Sequence, residues 1–151
     1  MDLQNRPDQM PSDFADLQKL SVEFGRNGLH IQGAGGNASV KNGDVMWIKA
    51  SGTMLGDALE KDVFVPVDLL RMKTAVVSDQ ANADSPADFL LPGASDLRPS
   101  IETCLHAVFR QRVVLHTHCV HTIAHAIQCH ARDLLEERLS AFNWAYVPYA
   151  K

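Results

Sequence analysis

The hydrophobic and polar positions of the chain predict helices and strands in alternation. Ser12 or Asp13 is a suitable N-cap, and apolar residues recur at helical spacing from there to Gly25. These apolar residues are Phe14, Leu17, Leu20 and Phe24. We expect one amphipathic helix whose apolar stripe packs on the core. Residues 1–11 are polar and contain two prolines, which predicts a flexible lead-in.

The next predicted element is a β-hairpin. Asn42-Gly43 is a strong signal for a two-residue turn, and the segments 38–41 and 44–49 on either side have the pattern of strands. The glycine-rich run 33–36 begins the loose dinucleotide pattern G-x-G-x-x-G/A, but that pattern requires a helix where this chain predicts a strand. The run is therefore either a tight turn that needs positive φ or a loop whose backbone N–H groups approach an anion.

More elements follow along the chain. Residues 62–67 predict a strand, with Pro66 near its edge or end, and Asp68 is a suitable cap for a short helix. Residues 78–98 are polar and have no clear period, and we expect a surface loop near the functional site. Ser100 is the natural N-cap of the next helix. The expected buried stripe of that helix is Ile101, Cys104, Leu105, Val108 and Phe109.

Glu102 would lie in the first turn of that helix, facing away from the apolar stripe, and His106 would lie one turn further on the same face. On local grounds Glu102 is either a solvated carboxylate favoured by the helix dipole or a functional group. The last segments predict two helices, at 120–127 and 132–139, and an aromatic strand at 143–151. The first of these helices is expected to pack on the sheet through Val120, Ile123, Ala124 and Ile127.

The segment 113–118 has the strongest chemical signal. It predicts a buried strand, in which His116 and His118 would point the same way about 6.5 Å apart, near enough to converge on one cation. The pair is either half of a metal site, or one histidine caps the strand while the other bonds a carbonyl. His121 and His125 are four residues apart on the next helix and could share a metal, although such pairs are more common at helix surfaces.

Composition narrows the class of protein. The chain has 151 residues, 46% of them hydrophobic and 21% charged, which is enough for one compact domain with a core. A net charge of −4 with scattered cationic residues argues against a nucleic-acid partner. Three cysteines without C-x-x-C spacing argue against a disulfide framework. No segment predicts a signal peptide or a membrane span, so we expect a cytoplasmic protein that does not bind membranes.

Four motifs in order resemble the class II aldolase/adducin family, whose best-known members are the fuculose and rhamnulose 1-phosphate aldolases. The motifs are GNASV at 36–40, SG at 51–52, PSIE at 99–102 and HTHCVH at 116–121. The resemblance covers residues 12–151 and implies a single α/β domain. It further implies a three-layer α/β/α fold with a central, mainly antiparallel sheet, usually assembled as a homotetramer.

The resemblance also implies a site. His116 and His118 would bind one zinc ion per subunit, or another divalent metal, and Glu102 would act as acid/base and approach the metal. His121 matches a position that is not a ligand in the family. The residues expected to hold the phosphate of a small sugar-phosphate-like substrate are Gly36, Asn37, Ser51, Gly52 and Ser100.

The expected activity is that of a zinc-dependent aldolase-type lyase. Zinc would bind the carbonyl and hydroxyl oxygens of a ketose phosphate, or of a related hydroxy-carbonyl compound, and stabilise the enediolate as a carbon–carbon bond breaks. Alternatives are a pentulose-phosphate 4-epimerase, a dehydratase, or a non-catalytic adducin-like interaction domain.

Two features depart from the family pattern. Ile101 stands where the sugar-phosphate aldolases commonly have a second serine, which removes one phosphate donor. No histidine follows His130, so the third zinc ligand is missing. Either the domain is C-terminally incomplete, which we expect, or the metal site is completed by another group.

Overall fold

The computed structural model describes residues 10–94 and 96–148. Five helices and four strands are formed within these ranges. The helices are α1 Phe14–Gly25, α2 Leu69–Val77, α3 Thr103–Val108, α4 Val120–Ala126 and α5 Ala131–Arg138, and the strands are β1 Asn37–Asn42, β2 Val45–Lys49, β3 Phe64–Asp68 and β4 Val113–His116. Most of the predicted lead-in lies outside the described residues, but Met10 packs against the core.

The four strands form one sheet in the order β3-β2-β1-β4, and every neighbouring pair is antiparallel. The predicted hairpin is confirmed, because Asn42 pairs with Val45 and Gly43 takes a positive φ of 55° in the turn. Asp68 caps α2 as predicted, accepting a hydrogen bond from the backbone of Arg71 at 2.9 Å. The α/β class and the antiparallel sheet are thus as the sequence predicts.

The sheet is buried by apolar side chains from both sides. Along β2, Val45 and Trp47 join one apolar cluster, whereas Met46 and Ile48 join a second, because successive side chains of a strand point to opposite faces. The first cluster includes Phe14 and Leu17 of α1, and the second includes Leu69, Met72 and Ala75 of α2. Phe14, Leu17 and Phe24 of the predicted stripe of α1 therefore pack on the core, and the helix also buries Ser21.

One face of β1 is polar and nevertheless buried. Its members are Asn37, Ser39 and Lys41, and we call them the polar face of β1. Each reaches the segment that runs from Glu102 into β4. Asn37 bonds Glu102, Ser39 bonds His106, and Lys41 donates to the backbone oxygens of Phe109 and Gln111. Buried polar groups need such partners, so this face fixes how α3 sits on the sheet.

Because the polar face of β1 packs against α3, the side of α3 that is buried is not the one that the sequence predicted. The side chains of α3 that are buried are Thr103, His106 and Ala107, whereas Ile101 is 81% exposed and Leu105, Val108 and Phe109 are also exposed. The helix begins at Thr103, so Glu102 precedes it instead of lying in its first turn, and Ser100 is not its N-cap. Of the predicted stripe, Cys104 packs against the second apolar cluster. The rest of the prediction was wrong, because hydrogen bonds to β1 draw the polar side of the helix inward.

The predicted surface loop at 78–98 is also partly wrong. It contains two 3₁₀ turns, Ala81–Asp84 and Pro86–Phe89, and Phe89 is fully buried in the second apolar cluster. Leu90 bridges Val67, and the backbone of Leu91 donates to Pro66 at 3.1 Å, so the segment covers the outer edge of β3. The apolar run Phe89-Leu90-Leu91 indicated that part of this segment is buried, but the prediction followed the polar composition of the whole segment.

The last segments form helices as predicted, but they do not pack as predicted. Within the described part of the chain, α4 buries none of its side chains, and Val120, Ile123 and Ile127 are exposed. Residues 143–148 are not a strand, and the rest of the predicted strand lies outside the described residues. No helix in the described ranges is long and apolar enough to span a membrane.

Candidate metal centre

Three side chains with metal-ligating atoms converge at the end of β4. One ligand atom from each of Glu102, His116 and His118 lies within 4.8 Å of the other two. His116 Nδ1 is 2.8 Å from Oε1 of Glu102, and the two imidazole rings are 4.9 Å apart between centroids. All three residues are half-buried, so the group is open to solvent on one side.

The backbone brings these residues together by a route that differs in part from the prediction. β4 ends at His116, so the predicted strand extending to His118 is wrong by two residues. His116 is held by its pairing with Asn37 at the start of β1. His118 follows the strand without belonging to it, and its ring still turns toward His116. Glu102 enters from the segment before α3.

Asn37 connects β1 directly to the carboxylate of Glu102. Its Nδ2 donates to Oε2 of Glu102 at 3.0 Å, and its Oδ1 accepts from the backbone of Ala38 at 2.9 Å. Partial burial alone would raise the pKa of Glu102, but the bond from Asn37 and the proximity of His116 outweigh it, and the pKa lies below its ordinary value. Glu102 is therefore an ionised carboxylate at neutral pH.

The donor set fits a zinc ion. Two imidazoles and a carboxylate are ligands that zinc commonly uses in proteins. The Nδ1 atom of His116 is buried and has no directional hydrogen-bond partner among the described residues, although Glu102 lies close to it. Coordination of one cation by that nitrogen and by the adjacent carboxylate oxygen would satisfy both atoms.

The glycine-rich run lies against the two histidines. A Cβ atom on Gly35 would come within 2.9 Å of Nδ1 of His118, and one on Gly36 would come within 3.0 Å of the backbone oxygen of His116. Gly36 also has a positive φ of 67°, which disfavours any other residue. The expectation of a turn that needs positive φ is thus confirmed at Gly36, and binding of an anion by the loop stays a prediction.

The other residues predicted to hold phosphate lie on adjoining loops. The backbone of Ser51 donates to the oxygen of Arg98 at 2.8 Å, which joins the Ser51-Gly52 turn to the segment before Ser100. Oγ of Ser100 accepts from the backbone of Glu102 at 3.2 Å. Gly52 takes a positive φ of 76°. Their role toward a phosphate remains a prediction.

Sequence reasoning missed Lys49, which ties these loops together. Its side chain is 3% exposed, and Nζ donates to the oxygens of Ala34 at 3.0 Å and of Thr53 at 2.7 Å. Burial lowers the pKa of this lysine below its ordinary value. The sequence did contain a signal for the burial of Lys49, because side chains alternate along β2 and Lys49 lies on the same face as Val45 and Trp47.

His106 lies behind Glu102 and is fully buried. Its Nδ1 is 2.8 Å from Oγ of Ser39, and burial lowers the pKa of the imidazole to about 4. The remaining histidines singled out by the sequence analysis are elsewhere. On α4, His121 is exposed and His125 is half-buried, and Nδ1 of His125 donates to the backbone oxygen of His121 at 2.8 Å.

This geometry defines the class of protein: an α/β domain with an antiparallel sheet and, at the end of β4, a cluster able to hold a metal ion. The family model of the Class II Aldolase and Adducin N-terminal domain matches residues 15–151. The chain belongs to this family, as the four sequence motifs indicate.

Two known proteins resemble the chain. The N-terminal class II aldolase domain of a conserved protein from Thermoplasma acidophilum has a solved structure that superimposes with a TM-score of 0.70 at 25% identity, covering 92% of this chain and 70% of that one. A Bacillus subtilis (strain 168) protein named uncharacterized oxidoreductase YuxG is 27% identical over 158 residues. That match covers 97% of this chain but 23% of the relative, so the chain spans about a quarter of its length.

Proposed function

We propose that the chain is the catalytic domain of a zinc-dependent aldolase-type lyase. Its substrate is a ketose phosphate or a related hydroxy-carbonyl compound, and the bond cleaved is a carbon–carbon bond. The observation that carries the proposal is the convergence of Glu102, His116 and His118 within 4.8 Å, in a chain that belongs to the class II aldolase/adducin family.

The three residues would divide the work between them. His116 and His118 would hold the zinc as neutral ligands, and Glu102 would offer it Oε1, the oxygen that Asn37 does not bond. When bound, zinc supplies Lewis acidity toward the oxygens of the substrate and stabilises the negative charge that develops on them. Glu102, ionised because its pKa is lowered, is suited to accept a proton from the substrate and to return it.

The loops around the centre would bind the rest of the substrate. We propose that Gly36, Asn37, Ser51, Gly52 and Ser100 contribute to a phosphate site. Support comes from the position of the Ser51-Gly52 turn, which is joined by backbone hydrogen bonding to the segment that carries Ser100 and Glu102. An epimerase or a dehydratase could use the same residues, and a panel of substrates separates these reactions.

We also propose that the domain works in a homo-oligomer, such as the tetramer expected from the family resemblance, and that it has the three-layer arrangement. Helices cover both faces of the sheet through the two apolar clusters, which supports the layers. The exposed apolar residues Leu105 and Val108 on α3, and Ile101 just before it, support an interface with another copy. Light scattering after size exclusion tests this, and a monomer at micromolar concentration would contradict it.

The decisive experiment measures metal content by elemental analysis in the wild type, in His116→Ala, and in His125→Ala as a matched control outside the cluster. We expect about one zinc per chain in the wild type and the control, and loss of zinc in His116→Ala. The zinc-loaded wild type should then release an aldehyde from a ketose phosphate. Absence of metal from the wild type after zinc is supplied would refute the proposal and favour a non-catalytic role.

A further inference from the structure

We propose that the glycine-rich loop, residues 33–37, positions the metal ligands themselves. Asn37 orients the carboxylate of Glu102, and Gly35 leaves the space that the ring of His118 occupies. Both are positioning residues that act through a ligand. The inference rests on the proposed function, because it takes Glu102, His116 and His118 as the ligands.

The bond from Asn37 determines which oxygen of Glu102 faces the histidines. Nδ2 of Asn37 holds Oε2 at 3.0 Å, and the other oxygen, Oε1, is thereby directed to His116 at 2.8 Å. The amide of Asn37 cannot rotate easily, because its Oδ1 is bonded to the backbone of Ala38 and the side chain is fully buried. Such a second partner fixes a ligating carboxylate in one orientation.

Gly35 acts on the other side of the centre by having no side chain. A Cβ at this position would lie 2.9 Å from Nδ1 and 3.1 Å from Cε1 of His118, and 2.9 Å from the backbone oxygen of Gln32. These distances are below van der Waals contact, so the ring or the loop would have to move. Gln32 adds a hydrogen bond from Nε2 to the backbone oxygen of His118 at 3.4 Å.

The loop thus controls two ligands that come from different segments of the chain. The third, His116, is held by the strand that the loop enters, since Asn37 pairs with His116 across β1 and β4. Binding of a phosphate by the side-chain amide of Asn37 would compete with its bond to Glu102. The structure therefore favours a role of this side chain in the metal centre, and a contribution of Asn37 to the proposed phosphate site would come from its backbone.

The test compares the zinc affinity of wild type, Asn37→Ala and Gly35→Ala in competition with a chromophoric chelator. Gly28→Ala is the matched control, because a Cβ at Gly28 meets nothing within 4 Å. We expect zinc to bind roughly 10- to 100-fold more weakly to Asn37→Ala, the range for a lost hydrogen-bond partner of a ligand. Gly35→Ala should also bind zinc more weakly, because its Cβ displaces the ring of His118, and Gly28→Ala should bind it like the wild type. Circular dichroism of the metal-free forms establishes that each variant is folded.

A double-mutant cycle shows whether Asn37 acts through Glu102. In the Glu102→Ala background, Asn37→Ala should cause no further loss of zinc affinity. If Asn37→Ala binds zinc like the wild type but loses affinity for inorganic phosphate, the inference is overturned and the side chain belongs to the phosphate site. A wild type that binds no zinc would refute the proposed function, and the inference with it. If Gly35→Ala does not fold, the cycle with Asn37 decides alone.

Discussion

The buried histidine behind the centre makes the folded protein sensitive to acid in a defined pH window. His106 has a pKa of about 4 in the folded chain, against an ordinary value of 6.5, because burial disfavours its charged form. Between these values the unfolded chain binds a proton that the folded chain does not, so the free energy of unfolding falls as the pH falls. The loss from about pH 7 to about pH 5 amounts to roughly 2 kcal/mol.

The assay is urea unfolding of the metal-free protein at several pH values across that window. His106→Gln should lose most of this pH dependence, whereas His125→Gln, a change on α4 outside the core, should retain it. The lowered pKa of Glu102 does not interfere, because the stability it provides is lost only as the pH falls below about 4.5. Equal slopes in wild type and His106→Gln would refute the idea of a buried neutral imidazole.

Three further predictions concern stability. Gly36→Ala should lower the free energy of unfolding by about 1–3 kcal/mol, because φ is positive at Gly36 and a Cβ would clash with its neighbours. Gly43→Ala in the open hairpin turn should lower it less, and chemical denaturation compares the two variants. Phe89→Ala should lower the free energy of unfolding by about 3–5 kcal/mol, because it leaves a cavity in place of a buried aromatic ring, and Tm should fall strongly. A change as small as that of a surface-loop substitution would contradict the burial of Phe89. Arg112→Ala removes an exposed pair with Asp13, which solvent screens, so the same assay should give a Tm close to that of the wild type.

The parts of the fold that the sequence predicted well depend on local signals. The hairpin follows from Asn42-Gly43 and its flanking alternation, and α1 follows from a complete apolar stripe. The face of α3 could not be predicted in this way. The orientation of α3 depends on Ser39 and Lys41. Alternation along the strand predicts that both face solvent, and their bonds to His106 and to the backbone of Phe109 are seen only in the packed structure.

The same distinction between local signals and long-range contacts applies to the candidate site. The spacing of His116 and His118 gave half of a metal site as one of two interpretations, and local reasoning left Glu102 as either a solvated carboxylate or a functional group. Its approach to His116 results from a long-range contact that no local pattern encodes. The bond from Asn37 and the space at Gly35 were missed for the same reason, because both are defined by what lies across from them.

The polar face of β1 also has a consequence for the order of folding. It joins Asn37 to Glu102 over 65 residues of sequence and Ser39 to His106 over 67. Closing loops of this length is slower than forming the hairpin or a helix, because chain entropy is lost before any contact compensates for it. The three ligand side chains therefore meet late, after the local elements have formed. A refolding chain should acquire tight zinc binding in the same kinetic phase as β1–β4 pairing, which makes the ion a probe of the last long-range step.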